Sequence, residues 1–95
     1  MEIPSPSNST YTIYTKTKCT FCEFAKLLLE DKNIAYTSVQ CDDYLQTDRT
    51  TFLQTIRNYA KNDKIATFPM IFDPFGQYVG GFKELRKSLE KEDDF

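Results

Sequence analysis

There is no histidine among these 95 residues, and no tryptophan. Without an imidazole, neither Cys-His nucleophilic catalysis nor His-ligated zinc is open to the chain. Cysteine is scarce as well, at three residues. Extracellular scaffolds that rely on disulfides carry well-spaced cysteines in even number, whereas Cys19, Cys22 and Cys41 leave one over however they are joined. A reducing, cytoplasmic setting is therefore expected. Long apolar runs are missing too: the stretch Leu27 to Leu29 is closed by Lys26 and Glu30, far short of the roughly 18 residues of a membrane helix. No membrane association is expected. Charge of either sign is balanced, with twelve Lys and Arg against fourteen Asp and Glu and a net charge of −2. That offers no general attraction for nucleic acid.

What is present suffices for one small core. Eight Phe, six Tyr and 40% hydrophobic content fit a single domain. The opening MEIPSPSNST has neither the apolar nor the basic region of a signal peptide, so residues 1–9 read as a flexible polar arm. The domain proper spans 10–91, and 92–95 read as a solvated acidic tail.

Residues 10–15, TYTIYT, are β-branched and aromatic and predict a strand. It leads directly into the cysteine pair. Phe21, Phe24, Ala25, Leu28 and Leu29 then recur at helical spacing, with Glu23, Lys26 and Glu30 on another side, predicting a helix that ends near Asn33. AYTSVQ at 35–40 predicts a second strand, and the polar CDDYLQTD after it a loop. From about Arg49 to Lys61, the residues Phe52, Leu53, Ile56, Tyr59 and Ala60 follow the amphipathic helical pattern. FPMIF at 68–72 and QYVG at 77–80 flank DPFG, whose Asp, Pro and Gly suit a type I turn; together they predict a hairpin. Phe82, Leu85 and Leu89 predict a closing helix after Gly80-Gly81. The order β-α-β-α-β-β-α implies an α/β domain with a mixed four-stranded sheet and helices on its faces. This is a thioredoxin-like arrangement, with CxxC where the first strand turns into the first helix.

Cys19 and Cys22 admit three readings. As a zinc half-site they have only Cys41 and carboxylates to complete the set. As buried thiols they are small apolar fillers. As a redox couple they need a thiolate, hence a pKa brought down from about 8.5, and the surroundings favour this reading. Lys16 and Lys18 bring positive charge near Cys19, with a modest effect in screened water. The helix entry favours an anion. TFCE, from Thr20 to Glu23, fits a capping box that starts the helix at Thr20 and leaves Cys19 just outside it. The CxxC spacing lets Cys22 donate to the Cys19 sulfur and later resolve a mixed disulfide. Cys19 is then the nucleophile and Cys22 the resolving thiol, while Cys41, after the second strand, reads as a partly buried filler in preference to a regulatory thiol or an accident.

Pro69 taken alone is an ordinary trans proline at a strand start. In company with the upstream CxxC it is more, because YTKTKCTFC, TFP, the hairpin MIFDPFGQYVG and GGFKEL occur in one order that resembles the glutaredoxin family, from roughly Thr12 to Leu89. The hairpin and GGF segments resemble especially the short glutaredoxins of phages and large DNA viruses. The resemblance implies a cis Phe68-Pro69 bond facing the redox pair, and glutathione as co-substrate, paired along the Phe68 backbone. It places Lys16 at the glutathione glycine carboxylate, with Gln54 or Arg57 adding to that site. Phe21 becomes the aromatic beside the active sulfur, and Thr67, Phe68 and Pro69 one wall. The N–H groups of Gly81 and Phe82 are placed at the γ-glutamyl carboxylate, as helix N-termini serve anions.

Two departures from the family pattern matter. Thr20 replaces the usual proline after the first cysteine, which raises an alternative: a [2Fe-2S] carrier in which Cys19 ligates a cluster shared by two subunits and two glutathiones. Lys83 stands where an acid commonly holds the glutathione ammonium and cannot accept that hydrogen bond; Glu84 is the neighbouring substitute. Lys83 also favours a second alternative, a thioredoxin-like donor served by a reductase rather than by glutathione. The expected partners are glutathione and a disulfide-containing protein, with ribonucleotide reductase suggested by the viral resemblance. A monomer is expected unless a cluster bridges two chains, and no nucleotide cofactor is expected.

Overall fold

Alternation along the first strand decides which layer each side chain joins. In the computed structural model, which describes residues 2–93 and the side chains of 2–90, β1 (Tyr11–Thr15) is buried at all five positions, as a central strand must be. It pairs in parallel with β2 (Tyr36–Gln40) and antiparallel with β3 (Met70–Phe72), and β4 (Tyr78–Gly80) pairs antiparallel with β3. The sheet order is β2-β1-β3-β4. Tyr11, Ile13 and Ile71 join Ala25 and Leu29 of α1 (Thr20–Asp31) and Leu85 and Leu89 of α3 (Phe82–Asp93) in one core. Tyr14, Met70 and Phe72 join Phe52 and Ile56 of α2 (Asp42–Ala60) in the other. Side chains two apart in a strand share a face, so one strand feeds two cores. This is the mixed four-stranded thioredoxin-like sheet that the sequence predicts.

The ends of the elements follow local chemistry. Asn33 takes a left-handed φ of 57°, and the Ile34 and Asn33 N–H groups donate back to the Leu29 and Glu30 carbonyls. That double return closes α1. In the hairpin, the Gly76 N–H donates to the Asp73 carbonyl at 2.9 Å, while the Asp73 carboxylate accepts from the N–H groups of Phe75 and Gln77.

One expectation is corrected. Residues 42–47, predicted as loop, open α2, which is two helical pieces meeting at Asp48 (φ −161°, ψ 87°). Asp42 and Asp43 complement the positive end of the helix dipole there, and the Tyr44 ring stacks on Phe52 at 5.9 Å. The Asp48 carboxylate accepts from the Thr51 N–H and hydroxyl and so caps the second piece, which starts at Arg49 as the periodicity predicts. In the N-terminal arm, Ile3 is buried among Phe52, Ile56 and Ile65. The Ile3 and Pro4 carbonyls accept from the hydroxyls of Tyr59 and Tyr14. At the other end, α3 already includes residues 92 and 93 of the expected tail, and Asp94 and Phe95 lie outside the described residues. Among the described residues no helix is long and apolar enough to cross a membrane.

Candidate active site

The loop between β1 and α1 is pinned from below. Thr17 donates its hydroxyl to Asp42 Oδ1 at 2.8 Å and its N–H to both carboxylate oxygens at 3.2 and 3.3 Å. The Thr17 hydroxyl, followed by the Gln40 side-chain amide, holds the Asp42 carboxyl below the usual carboxylate range. The anchor is not among the residues that the sequence singles out; its signal is the Asp42-Asp43 pair after Cys41, a helix-start composition. Lys18, next in line, has a left-handed φ of 55°, uncommon for a residue with a Cβ. It turns the chain into Cys19.

Cys19 is the N-cap of α1, and its sulfur accepts the Cys22 N–H at 3.3 Å. The expected capping box with Thr20 as cap does not form. Thr20 is already helical, so the residue before it takes the cap, and Glu23 pairs with Lys26 at 3.1 Å instead of reaching back. Cys19 and Cys22 are joined as a disulfide with their Cα atoms 5.3 Å apart. Cys19 is half-buried and Cys22 fully enclosed. An incoming thiol or disulfide therefore meets Cys19, and a negative charge forming on its sulfur faces an N–H and the positive end of a helix.

Beside this pair runs a groove of about 160 Å³ lined by Phe21, Thr67, Phe68, Pro69, Gly81, Phe82, Lys83 and Glu84. The Phe68-Pro69 bond is cis. Half-exposed Phe21 lies 6.1 Å from the Phe82 ring, and Phe24 completes the aromatic cluster at 5.9 and 5.7 Å from the two. Phe24 shares the apolar periodicity of α1, yet 45% of it is exposed. The Arg86 guanidinium lies over the Phe82 ring at 5.8 Å. The Lys16 ammonium lies 5.5 Å from the Phe68 ring centroid, which brings it to the same wall.

Other predicted site residues stand differently. The Gly81 N–H, expected to be free for an anion, is donated to Glu84 Oε1 at 2.8 Å, because Glu84 is the third residue of α3 and reaches back over its own helix start. Gly80 makes room for that side chain: it has φ +131°, and a Cβ there would lie 2.7 Å from Glu84 Cβ. The Phe82 N–H, at the first helical position, has no intrahelical acceptor. Gln54 donates to Asn58 on the surface of α2, and Arg57 Nε donates to the Ile65 carbonyl at 2.8 Å. Neither lines the groove; Arg57 instead ties down the segment leading into Thr67. Cys41 is free and fully buried, and its thiol donates to the Val39 carbonyl at 3.2 Å. Burial pushes its pKa up to about 12, so it is inert as a nucleophile at neutral pH.

No three Cys, His, Asp or Glu side chains converge on a possible metal position among the described residues. With Cys22 and Cys41 enclosed, Cys19 is the one cysteine among the described residues that an external cluster could meet. One cysteine per chain is then on offer, so a [2Fe-2S] group would need a second chain and two glutathiones to complete its ligand set.

Comparison with known proteins points one way. A family model described as Glutaredoxin matches residues 11–75. Glutaredoxin 1 of Rickettsia conorii is 34% identical over 83 residues, covering 87% of this chain and 74% of the relative. Glutaredoxin 1 from Francisella tularensis, crystallised with cacodylate, superposes with a TM-score of 0.73 at 32% identity, covering 90% of this chain and 96% of that one. A buckwheat glutaredoxin–glutathione complex shares the fold with a TM-score of 0.70 at 17% identity, over 90% of this chain and 73% of that one. The matched segment runs through both cysteines and the Thr67–Pro69 wall, and the chain belongs to the glutaredoxin family, as a thiol-disulfide oxidoreductase carrying the Cys19–Cys22 pair.

Proposed function

We propose that glutathione is the reductant of this oxidoreductase and that its substrates are glutathione mixed disulfides and protein disulfides. The observation that carries the reading is the contrast between a half-buried, amide-capped Cys19 and an enclosed Cys22 beside an aromatic groove. The Cys19 thiolate attacks a disulfide sulfur; the new S–S bond forms as the old one breaks, and the electron pair leaves on the departing thiolate. With a protein disulfide, the Cys22 thiolate then attacks the Cys19 sulfur, releases the reduced substrate and closes the Cys19–Cys22 bond. Two glutathione molecules reopen it by the same exchange and leave as glutathione disulfide.

In this reading the glutathione cysteinyl backbone lies along Phe68, between Phe21 and Pro69. Lys16 answers the glycine carboxylate, without help from Gln54 and with Arg57 committed to Ile65. The γ-glutamyl carboxylate meets the Phe82 N–H, and Glu84 keeps lone pairs for the ammonium while holding Gly81. Lys83 opposes that ammonium. A cytoplasmic monomer and a ribonucleotide-reductase-type protein substrate remain proposals of the same reading, in line with the cysteine count and the family. The test is adduct trapping. Cys22→Ser incubated with glutathione disulfide should gain the mass of one glutathione, mapped to the Cys19 peptide. An unmodified protein, or an adduct at Cys41, contradicts it.

A further inference from the structure

Cys19 also forms part of the wall of a second depression, of about 440 Å³, which shares no lining residue with the aromatic groove. Its character is opposite: Lys16, Lys18 and Lys26 line it together with Thr20 and a single carboxylate, that of Glu23. On a chain whose net charge is −2, this is a local cationic field placed directly at the reacting sulfur. The three ammonium groups are incompletely neutralised. Lys26 pairs with Glu23, Lys16 faces a neutral ring, and Lys18 has no carboxylate partner among the described residues. Asp42 adjoins the depression through Thr17 and Gln40, which occupy its oxygens.

We propose that this depression receives an acidic segment of a polypeptide disulfide substrate, so that carboxylates flanking the substrate cysteine meet Lys18 and Lys26 while its sulfur meets Cys19. Its volume suits several side chains, and its charge selects acidic ones. The proposal rests on the reading of Cys19 as nucleophile and adds the class of polypeptide on which it acts. Exposed pairs of this kind contribute little each, so the selection appears in association and in its salt dependence.

The test uses three peptides of one length, each with a single cysteine activated as a mixed disulfide with thionitrobenzoate and flanked by Asp, Asn or Lys. The Cys19 thiolate attacks the peptide sulfur and thionitrobenzoate leaves with the electron pair. The Cys22 thiolate then displaces the peptide thiolate, so the protein dithiol is oxidised as the activated disulfide is reduced. Release rates are measured with the reduced full chain and divided by each peptide's rate with 2-mercaptoethanol. The Asp peptide should react on the order of five-fold faster than the Lys peptide at low ionic strength, and the ratio should approach one at high salt. Lys26→Glu should abolish the preference, while Lys87→Gln, a charge change on α3, should leave it. Equal rates for all three peptides with the wild type overturn this proposal alone, as does a preference that Lys87→Gln lowers as much as Lys26→Glu. No release from any peptide overturns the thiolate reading and this proposal with it.

Discussion

Phe68 carries the Lys16 ammonium over its ring at 5.5 Å and is itself stacked on Phe52, with centroids 6.1 Å apart and planes within 10°. Phe52 stacks in turn on Tyr44, so a column of rings runs from the buried face of α2 to a cation beside the redox pair. A cation over an exposed ring contributes about 0.5–1 kcal/mol. Phe68→Leu should therefore raise KM for a glutathione mixed disulfide about three-fold and leave kcat near wild type, whereas Phe68→Tyr should restore KM. Steady-state kinetics on the two variants decide this, and an effect confined to kcat would contradict the role given to the ring.

The N-terminal tether is open to a stability measurement. Ile3 is buried against α2, with its carbonyl held by Tyr59. Truncating a buried isoleucine costs about 2–5 kcal/mol, and near the surface the lower end applies. Ile3→Ala should lower stability by about 2 kcal/mol and Tm by roughly 10 °C for a domain of this size, with the exchange activity unchanged at 25 °C. An unchanged urea midpoint would show that the tether adds nothing.

Cys41 gives the fold a pH dependence on the alkaline side. Burial holds its thiol protonated up to about 12, while in the unfolded chain it ionises near 8.5. Between those values the folded state binds more protons than the unfolded one, so this contribution to stability is complete below about 8.5 and is lost as pH rises toward 12. Tyr14, raised mainly by burial and also by Tyr59, acts in the same sense. Urea titrations at pH 8 and pH 10 should show a fall in stability that is smaller in Cys41→Ala. Iodoacetamide at pH 8 should label reduced native protein at Cys19 and spare Cys41.

Much of this was legible in the sequence where side chains answer to periodicity or to a turn. Phe52, Leu53, Ile56, Tyr59 and Ala60 mark the second piece of α2, and Asp73-Pro74-Phe75-Gly76 marks the hairpin. The cysteine spacing placed the redox pair at a strand-helix junction. What stayed hidden depends on tertiary partners. Residues 42–47 carry too few apolar side chains to signal a helix, and their helix depends on Tyr44 finding Phe52. Ile3 is a lone apolar residue in a polar segment, and only the gap beside Phe52 and Ile65 gives it a place. Glu84 is legible as an acid for the glutathione ammonium, but its hold on the Gly81 N–H appears only once Gly80 and Gly81 bring that backbone within its reach.

The most direct test of the central claim is turnover of a small glutathione mixed disulfide in the presence of glutathione, with glutathione reductase and its nicotinamide cofactor reporting each cycle, for the wild type and Cys19→Ser. The account predicts turnover by the wild type, its loss to background in Cys19→Ser, and its retention in Cys22→Ser. Full activity in Cys19→Ser, or no turnover by folded, reduced wild type, would contradict it.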